Sequence, residues 1–209
     1  MTCNPIKGRC QGDCWYCFYS GRRGILNRFK QNPDILLRLS AFDKLPRIPK
    51  KIFLCSTHEL FGSWIPRKWR DLIFDEIKKR PQHIFQILTK VPQNIDRPMP
   101  PNVWLGTTIT YGERRDISLK RTKANLKFIS FEPFFGMSKK TYSKIIDERI
   151  NWVVVGRLTG YGHKYDPKRE WIEDIVNQAR RFSIPVFLKN NLQEIWGESL
   201  IQEMPREIT

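Results

Sequence analysis

The chain has 209 residues, and its 37 Lys and Arg outnumber 21 Asp and Glu for a formal charge of +16. A chain of this length can bury about 70% of its unfolded surface, so it needs no disulfide scaffold, and 40% hydrophobic with 12% aromatic residues excludes a disordered tail. No apolar run approaches the roughly 18 residues of a membrane span and no signal-peptide pattern opens the chain, which predicts a cytoplasmic protein with no membrane partner.

Residues 1–60 carry 11 basic and 4 acidic side chains, residues 61–150 carry 18 and 9, and residues 151–209 carry 8 and 8. The whole excess precedes Asn151. It points to an anionic partner such as nucleic acid, because neutralising phosphates releases counterions. A lysine-rich surface that is merely solvated is the alternative.

Four of the five cysteines, Cys3, Cys10, Cys14 and Cys17, crowd the first 17 residues. An odd count without a secretory signal favours metal or redox chemistry over a disulfide framework. Cys55 lies in an apolar run and reads as a buried structural thiol. Arg22, Arg23, Arg28 and Lys30 follow the cysteine segment and are expected to rim it.

Past that segment, short apolar runs alternate with amphipathic stretches. The strand candidates are Lys51–Ser56, Ile84–Leu88, Val103–Thr108, Lys127–Phe131, Trp152–Gly156 and Pro185–Leu188. They lack strict alternation, as strands buried on both faces should. Helical patterns cover Pro66–Arg80, Glu113–Thr122, Ser138–Arg149 and Glu170–Phe182, and Leu192–Met204 reads as a terminal helix. Together they predict one α/β domain over residues 1–209, with a parallel sheet that is either doubly wound or barrel-like.

Polar residues follow every strand: Ser56, Thr57, His58 and Glu59; Thr89 and Lys90; Thr107 and Thr108; Glu132; Arg157; Lys189, Asn190 and Asn191. In parallel α/β folds the strand C-termini open onto one face, where reacting groups gather. Each such residue is equally an ordinary cap or turn. Thr159-Gly160-Tyr161-Gly162, flanked by Arg157, His163 and Lys164, reads as a mobile loop. It lacks the spacing of a phosphate-binding P-loop. Trp15 and Trp64 stand in loops, where an aromatic ring among basic residues can stack a base.

Cys10, Cys14 and Cys17 form C-x3-C-x2-C with Tyr16 before the last cysteine. Three thiolates can hold three irons of a 4Fe–4S cube and leave the fourth open. A structural zinc site using Cys3 as fourth thiolate is the alternative. So is an iron–sulfur centre serving electron transfer or sensing.

The motif resembles the signature of radical S-adenosylmethionine enzymes. Cys3-Asn4-Pro5, Ser56 to Phe61, Leu88-Thr89-Lys90, Val103 to Gly106, Phe131-Glu132-Pro133, Trp152 to Gly156 and Phe187-Leu188-Lys189 look like successive motifs of a compact family within that superfamily. That family recurs in phage and prokaryotic genomes, with no assigned reaction. The resemblance implies a partial (β/α)6 barrel with an N-terminal cluster loop. It also implies a 4Fe–4S cluster on Cys10, Cys14 and Cys17, S-adenosylmethionine as second cofactor, and a partner supplying one electron. Hydrogen abstraction from a polyanion such as DNA or RNA is the expected chemistry.

Tyr16 would lie near the adenine and Glu59 would meet the cofactor's amino group. Thr108 and Glu132 would bond the ribose or adenine, Lys189 the carboxylate, and Ser56 belongs to the same set. His58, Lys90, Arg157 and His163 are candidate substrate contacts. Three features depart from the family: Cys3 replaces an aromatic residue, Gly156-Arg157 replaces a glycine-glutamate pair, and any strand before the cysteines is expected to be a stub.

Overall fold

The β-branched and aromatic runs form strands. In chain order these are β1 (Thr2–Cys3), β2 (Ile6–Lys7), β3 (Leu36–Leu37), β4 (Lys51–Leu54), β5 (Ile84–Thr89), β6 (Val103–Thr108), β7 (Leu126–Phe131), β8 (Trp152–Val155) and β9 (Val186–Leu188). Among the described residues the α-helices are α1 (Arg67–Lys78), α2 (Lys139–Ile145), α3 (Arg169–Arg180) and the one-turn α4 (Gln193–Trp196). This computed structural model describes residues 1–19, 21, 24–25, 34–111, 119, 121–137 and 139–206. The expected helix at Glu113–Thr122 falls mostly outside the described residues, as do Arg22, Arg23, Arg28 and Lys30.

The chain divides into two units, Met1–Trp104 and Leu105–Thr209, and β6 crosses the boundary. In the first unit the hydrogen-bonded order is β1-β4-β5, followed by the start of β6. β1 pairs with β4 in parallel, Cys3 opposite Leu54, and β4 pairs with β5 in parallel. β1 has two residues. An antiparallel ribbon of β2 and β3, which no alternation in the sequence announced, places Lys7 opposite Leu36.

β4 and β5 alternate buried with half-buried residues instead of being buried on both faces. Ile52, Leu54, Phe85 and Ile87 supply the core side. α1 buries Ile73, Phe74 and Ile77, which fall on one face at helical spacing. Pro66 stands at the N-cap, where its missing N–H costs no helical bond.

In the second unit the order is the remainder of β6, then β7-β8-β9, with β7–β8 and β8–β9 parallel. β6 and β8 are buried along their whole length, as the unbroken apolar runs predict. The core combines Ile129, Phe131, Val153, Val155, Val186 and Leu188 from strands with Tyr142, Ile172, Ile175 and Ala179 from helices.

The expected terminal helix is corrected. It stops at Trp196 because Gly197 adopts φ 73°, a left-handed conformation that ends a helix. The chain then returns along β9: the Leu188 N–H donates to Ile201 O at 2.7 Å, and the Glu203 N–H donates to Val186 O at 2.9 Å. The α/β class with parallel strands is therefore the architecture of the chain.

Candidate functional site

The first unit places the cysteine loop between β2 and β3. Cys10, Cys14 and Cys17 are half-buried, and none of the five cysteines, all among the described residues, forms a disulfide. The loop is tightly wound. Cys17 N–H donates to Cys14 O, and Gly21 N–H donates to Cys17 O, both at 3.0 Å. A Cβ at Gly21 would lie 2.5 Å from Cys17 O, so only glycine permits this closure.

Cys17 lies within electrostatic reach of both Cys10 and Cys14. Burial raises the Cys10 and Cys14 thiols, an effect opposed at Cys14 by the Lys90 ammonium and by a hydrogen bond from the Tyr16 side chain. At Cys10 the opposing groups are backbone N–H groups of Gly12, at 3.4 Å from Sγ, and of Glu59.

Beside the loop, β4 ends in a sharp turn. Cys55 takes φ 54°, and the His58 N–H donates to its carbonyl at 3.0 Å. Ser56 Oγ and the Thr57 N–H both donate to Asn4 Oδ1, at 3.1 and 3.4 Å, which fastens the turn to the segment after β1. His58 is buried against the Tyr19 ring at 5.8 Å, and burial pushes its pKa down to about 4. Its Nδ1 meets Thr57 Oγ1 at 3.0 Å.

Glu59 is buried and fully engaged. Oε1 accepts from the Thr89 hydroxyl at 2.7 Å and the Phe61 N–H at 3.2 Å, while Oε2 accepts from the Lys90 N–H at 2.7 Å. Burial raises its pKa against those bonds and the Lys90 charge. The carboxylate thus ties the end of β4 to the end of β5 next to the thiols.

The second unit has its own polar cluster at strand ends. Lys189 Nζ donates to Glu132 Oε2, joining the ends of β9 and β7. Gly156, after β8, lies beneath the pair. A Cβ there would stand 2.9 Å from Glu132 Oε1 and 3.1 Å from Lys189 Cδ. Arg157 exchanges two hydrogen bonds with Asn191, and its Nη1 donates to both carboxylate oxygens of Asp166 at 3.0 and 3.1 Å. His163 Nδ1 meets the same carboxylate at 2.8 Å. Thr108 is buried at the end of β6.

A family model described as "Protein of unknown function (DUF5131)" matches residues 20–207. The chain belongs to the DUF5131 family. The matched stretch begins after Cys17, so the cysteine loop of this DUF5131 protein lies outside it. No curated protein and no solved structure matches the chain.

Of the residues expected at a site, the DUF5131 protein brings Cys10, Cys14, Cys17, Tyr16, Glu59 and Lys90 into one constellation. Ser56 and His58 lie on the adjoining turn, with Ser56 engaged by Asn4. In the second unit Glu132 and Lys189 form a pair of their own. Arg157 and His163 share Asp166, so the Arg157 charge is locally balanced. Sequence reading missed Asn4, Asp166 and Asn191 as partners. Asn4 stands inside a motif segment, but nothing in its type reveals a bond to a residue 52 positions away.

Among the described residues, no three His, Cys, Asp or Glu side chains converge as they do around a single metal ion. The irons of a cubane are instead shared among separate thiolates. Three soft thiols with N–H groups directed at Cys10 sulfur are a donor set suited to iron and sulfide.

Proposed function

We propose that the protein is a radical S-adenosylmethionine enzyme whose 4Fe–4S cluster is held by Cys10, Cys14 and Cys17. The observation that carries this reading is the loop itself. Three half-buried thiols at C-x3-C-x2-C spacing sit beside Glu59, with Cys17 in electrostatic reach of the other two and Lys90 acting on Cys14. Held by Cys10, Cys14 and Cys17, such a cluster would supply one-electron reductive cleavage of S-adenosylmethionine to methionine and a 5′-deoxyadenosyl radical able to abstract hydrogen from substrate, the electron coming from an outside reductant.

The chain's own residues prepare that site. Burial disfavours the thiolates, so Lys90 and the Gly12 and Glu59 N–H groups supply positive potential where negative charge must rest. Glu59 holds two strand ends together and thereby fixes the wall behind the loop. Tyr16 keeps the adenine-facing role that the resemblance implies. The cofactor roles of Ser56, Glu59, Thr108, Glu132 and Lys189, the substrate roles of His58, Lys90, Arg157 and His163, and the partial (β/α)6 curvature belong to this proposal on the strength of residue type, position at strand ends and sequence resemblance. The cytoplasm, where thiols stay reduced, suits the chemistry.

Anaerobic reconstitution with iron and sulfide tests the proposal. The expected product is a brown protein that forms 5′-deoxyadenosine with dithionite and S-adenosylmethionine, and Cys14→Ala should lose iron and product together. A colourless protein holding one zinc per chain would falsify the reading. A brown protein that forms no 5′-deoxyadenosine would reassign the loop to electron transfer or sensing.

A further inference from the structure

We propose that the outer face of the cysteine loop docks single-stranded nucleic acid, with Trp15 and Phe18 stacking on bases and Lys7 and Arg9 neutralising phosphates. This deepens the proposed function by naming the substrate class of the same loop, and rests on it for the chemistry that follows docking.

The loop turns its thiols inward and their neighbours outward. Arg9 precedes Cys10, Trp15 follows Cys14, and Phe18 follows Cys17; the thiols are half-buried while all three neighbours are exposed, Trp15 at 39% and Phe18 at 60%. Because Cys17 is within reach of both other thiols, the three outward side chains leave one small loop. Trp15 stands edge-on to Tyr16 at 5.5 Å and 85°, and Phe18 leans on Tyr19, whose own ring is buried against His58. Each ring thus rests against a neighbouring ring and remains partly open to water. Exposed large aromatics on a loop have a cost in water that a stacked base removes.

Charge decides between occupants. The unit containing the loop carries 19 Lys and Arg against 8 Asp and Glu. Asp71, Asp75, Glu76 and Asp96 are all ion-paired around α1, and Asp43 pairs with Arg80. Lys7, Arg9 and Arg38 are exposed, with no carboxylate at ion-pair distance among the described residues. The Arg38 N–H bonds Pro5 O and Lys7 lies opposite Leu36, so these cations flank the ribbon that leads into the loop. A polyanion with accessible flat faces satisfies both the charge and the rings. A duplex offers phosphates but hides its base faces, so the matching chemistry is a single strand, RNA or DNA.

Fluorescence anisotropy of a labelled single-stranded oligonucleotide tests this, with DNA and RNA versions, the matching duplex, heparin and an acidic electron-transfer protein as comparators. A single strand should bind at least tenfold more tightly than its duplex, and the better of the DNA and RNA versions identifies the sugar. Trp15→Ala and Phe18→Ala should each weaken binding by about tenfold with the salt slope unchanged, and Trp15→Phe should recover most of the loss. Arg9→Ala should reduce the salt slope by about one.

Equal binding of heparin and single strand, unaltered in the ring variants, would overturn the proposal. So would ring variants that lose only the acidic protein, which would assign this face to the reductant. Iron content and 5′-deoxyadenosine are measured on the same preparation. A cluster-loaded, active protein without strand binding overturns the docking surface alone, whereas strand binding by an iron-free protein overturns only the cluster reading.

Discussion

Gly156 has atoms of an ion pair where its side chain would be. An added Cβ would approach Glu132 Oε1 to 2.9 Å, its Cδ to 3.1 Å, and Lys189 Cδ to 3.1 Å. Gly156→Ala must therefore push apart two side chains that hold each other across the ends of β7 and β9. The expected loss is about 1–3 kcal/mol, as for other overpacked sites, read as a lower denaturation midpoint. A midpoint equal to that of the unaltered protein would show that the pair moves aside freely. Glu59 presents the opposite case, a side chain whose surroundings the sequence did not disclose. Its place after β4 is legible, and a cofactor contact or an ordinary cap are the readings residue order allows. Its three hydrogen bonds reach across the turn to Phe61 and to the end of β5, and such partners have no signature in residue order.

At the scale of elements, α1 was read closely because amphipathic spacing and Pro66 both act locally. What anchors its outer side was not visible. Asp96 meets Arg70 of α1 at 3.2 Å and its neighbour Arg97 at 2.8 Å, while Arg97 reaches back to Asp71 of the same helix at 2.8 Å. The Arg97 hydrogen bond, followed by Arg70, holds the Asp96 carboxyl down at about 2. A depressed carboxylate pKa stabilises the fold above the ordinary value of 3.8, and that contribution disappears as pH falls through about 2. Asp96→Asn should accordingly lower stability at pH 7 by about 0.5–1 kcal/mol, the size expected for a partly solvated network. The two proteins should converge near pH 2. Thermal melts at both pH values check this, and a gap that persists in acid would rule out the ionic account. The terminal segment failed for a different reason: its apolar spacing continues beyond Trp196, but a single left-handed glycine redirects the chain to an antiparallel return along β9.

For the whole molecule, the positive charge is unevenly divided: the unit up to Trp104 has a net charge of +11 and the remainder +5. Heparin retention at neutral pH should therefore be strong at low salt and fall steeply as salt rises, with a log–log slope of about −0.9 per anionic group neutralised. Retention that ignores salt would mean that the excess charge merely solvates the surface.

Residue types and short-range periodicity alone determined the α/β alternation, the six principal strand positions and the placing of three thiols in one loop. Each of these depends on neighbours within a few residues. Tertiary structure alone decided that Glu59 is a buried tie, that Arg157 is balanced by Asp166, and that Lys189 pairs with Glu132. It also decided that Trp15 and Phe18 are exposed while Cys10, Cys14 and Cys17 are half-buried. Several of these contacts join residues 30 to 57 positions apart, a reach over which only the packed sheet, not residue order, sets who meets whom.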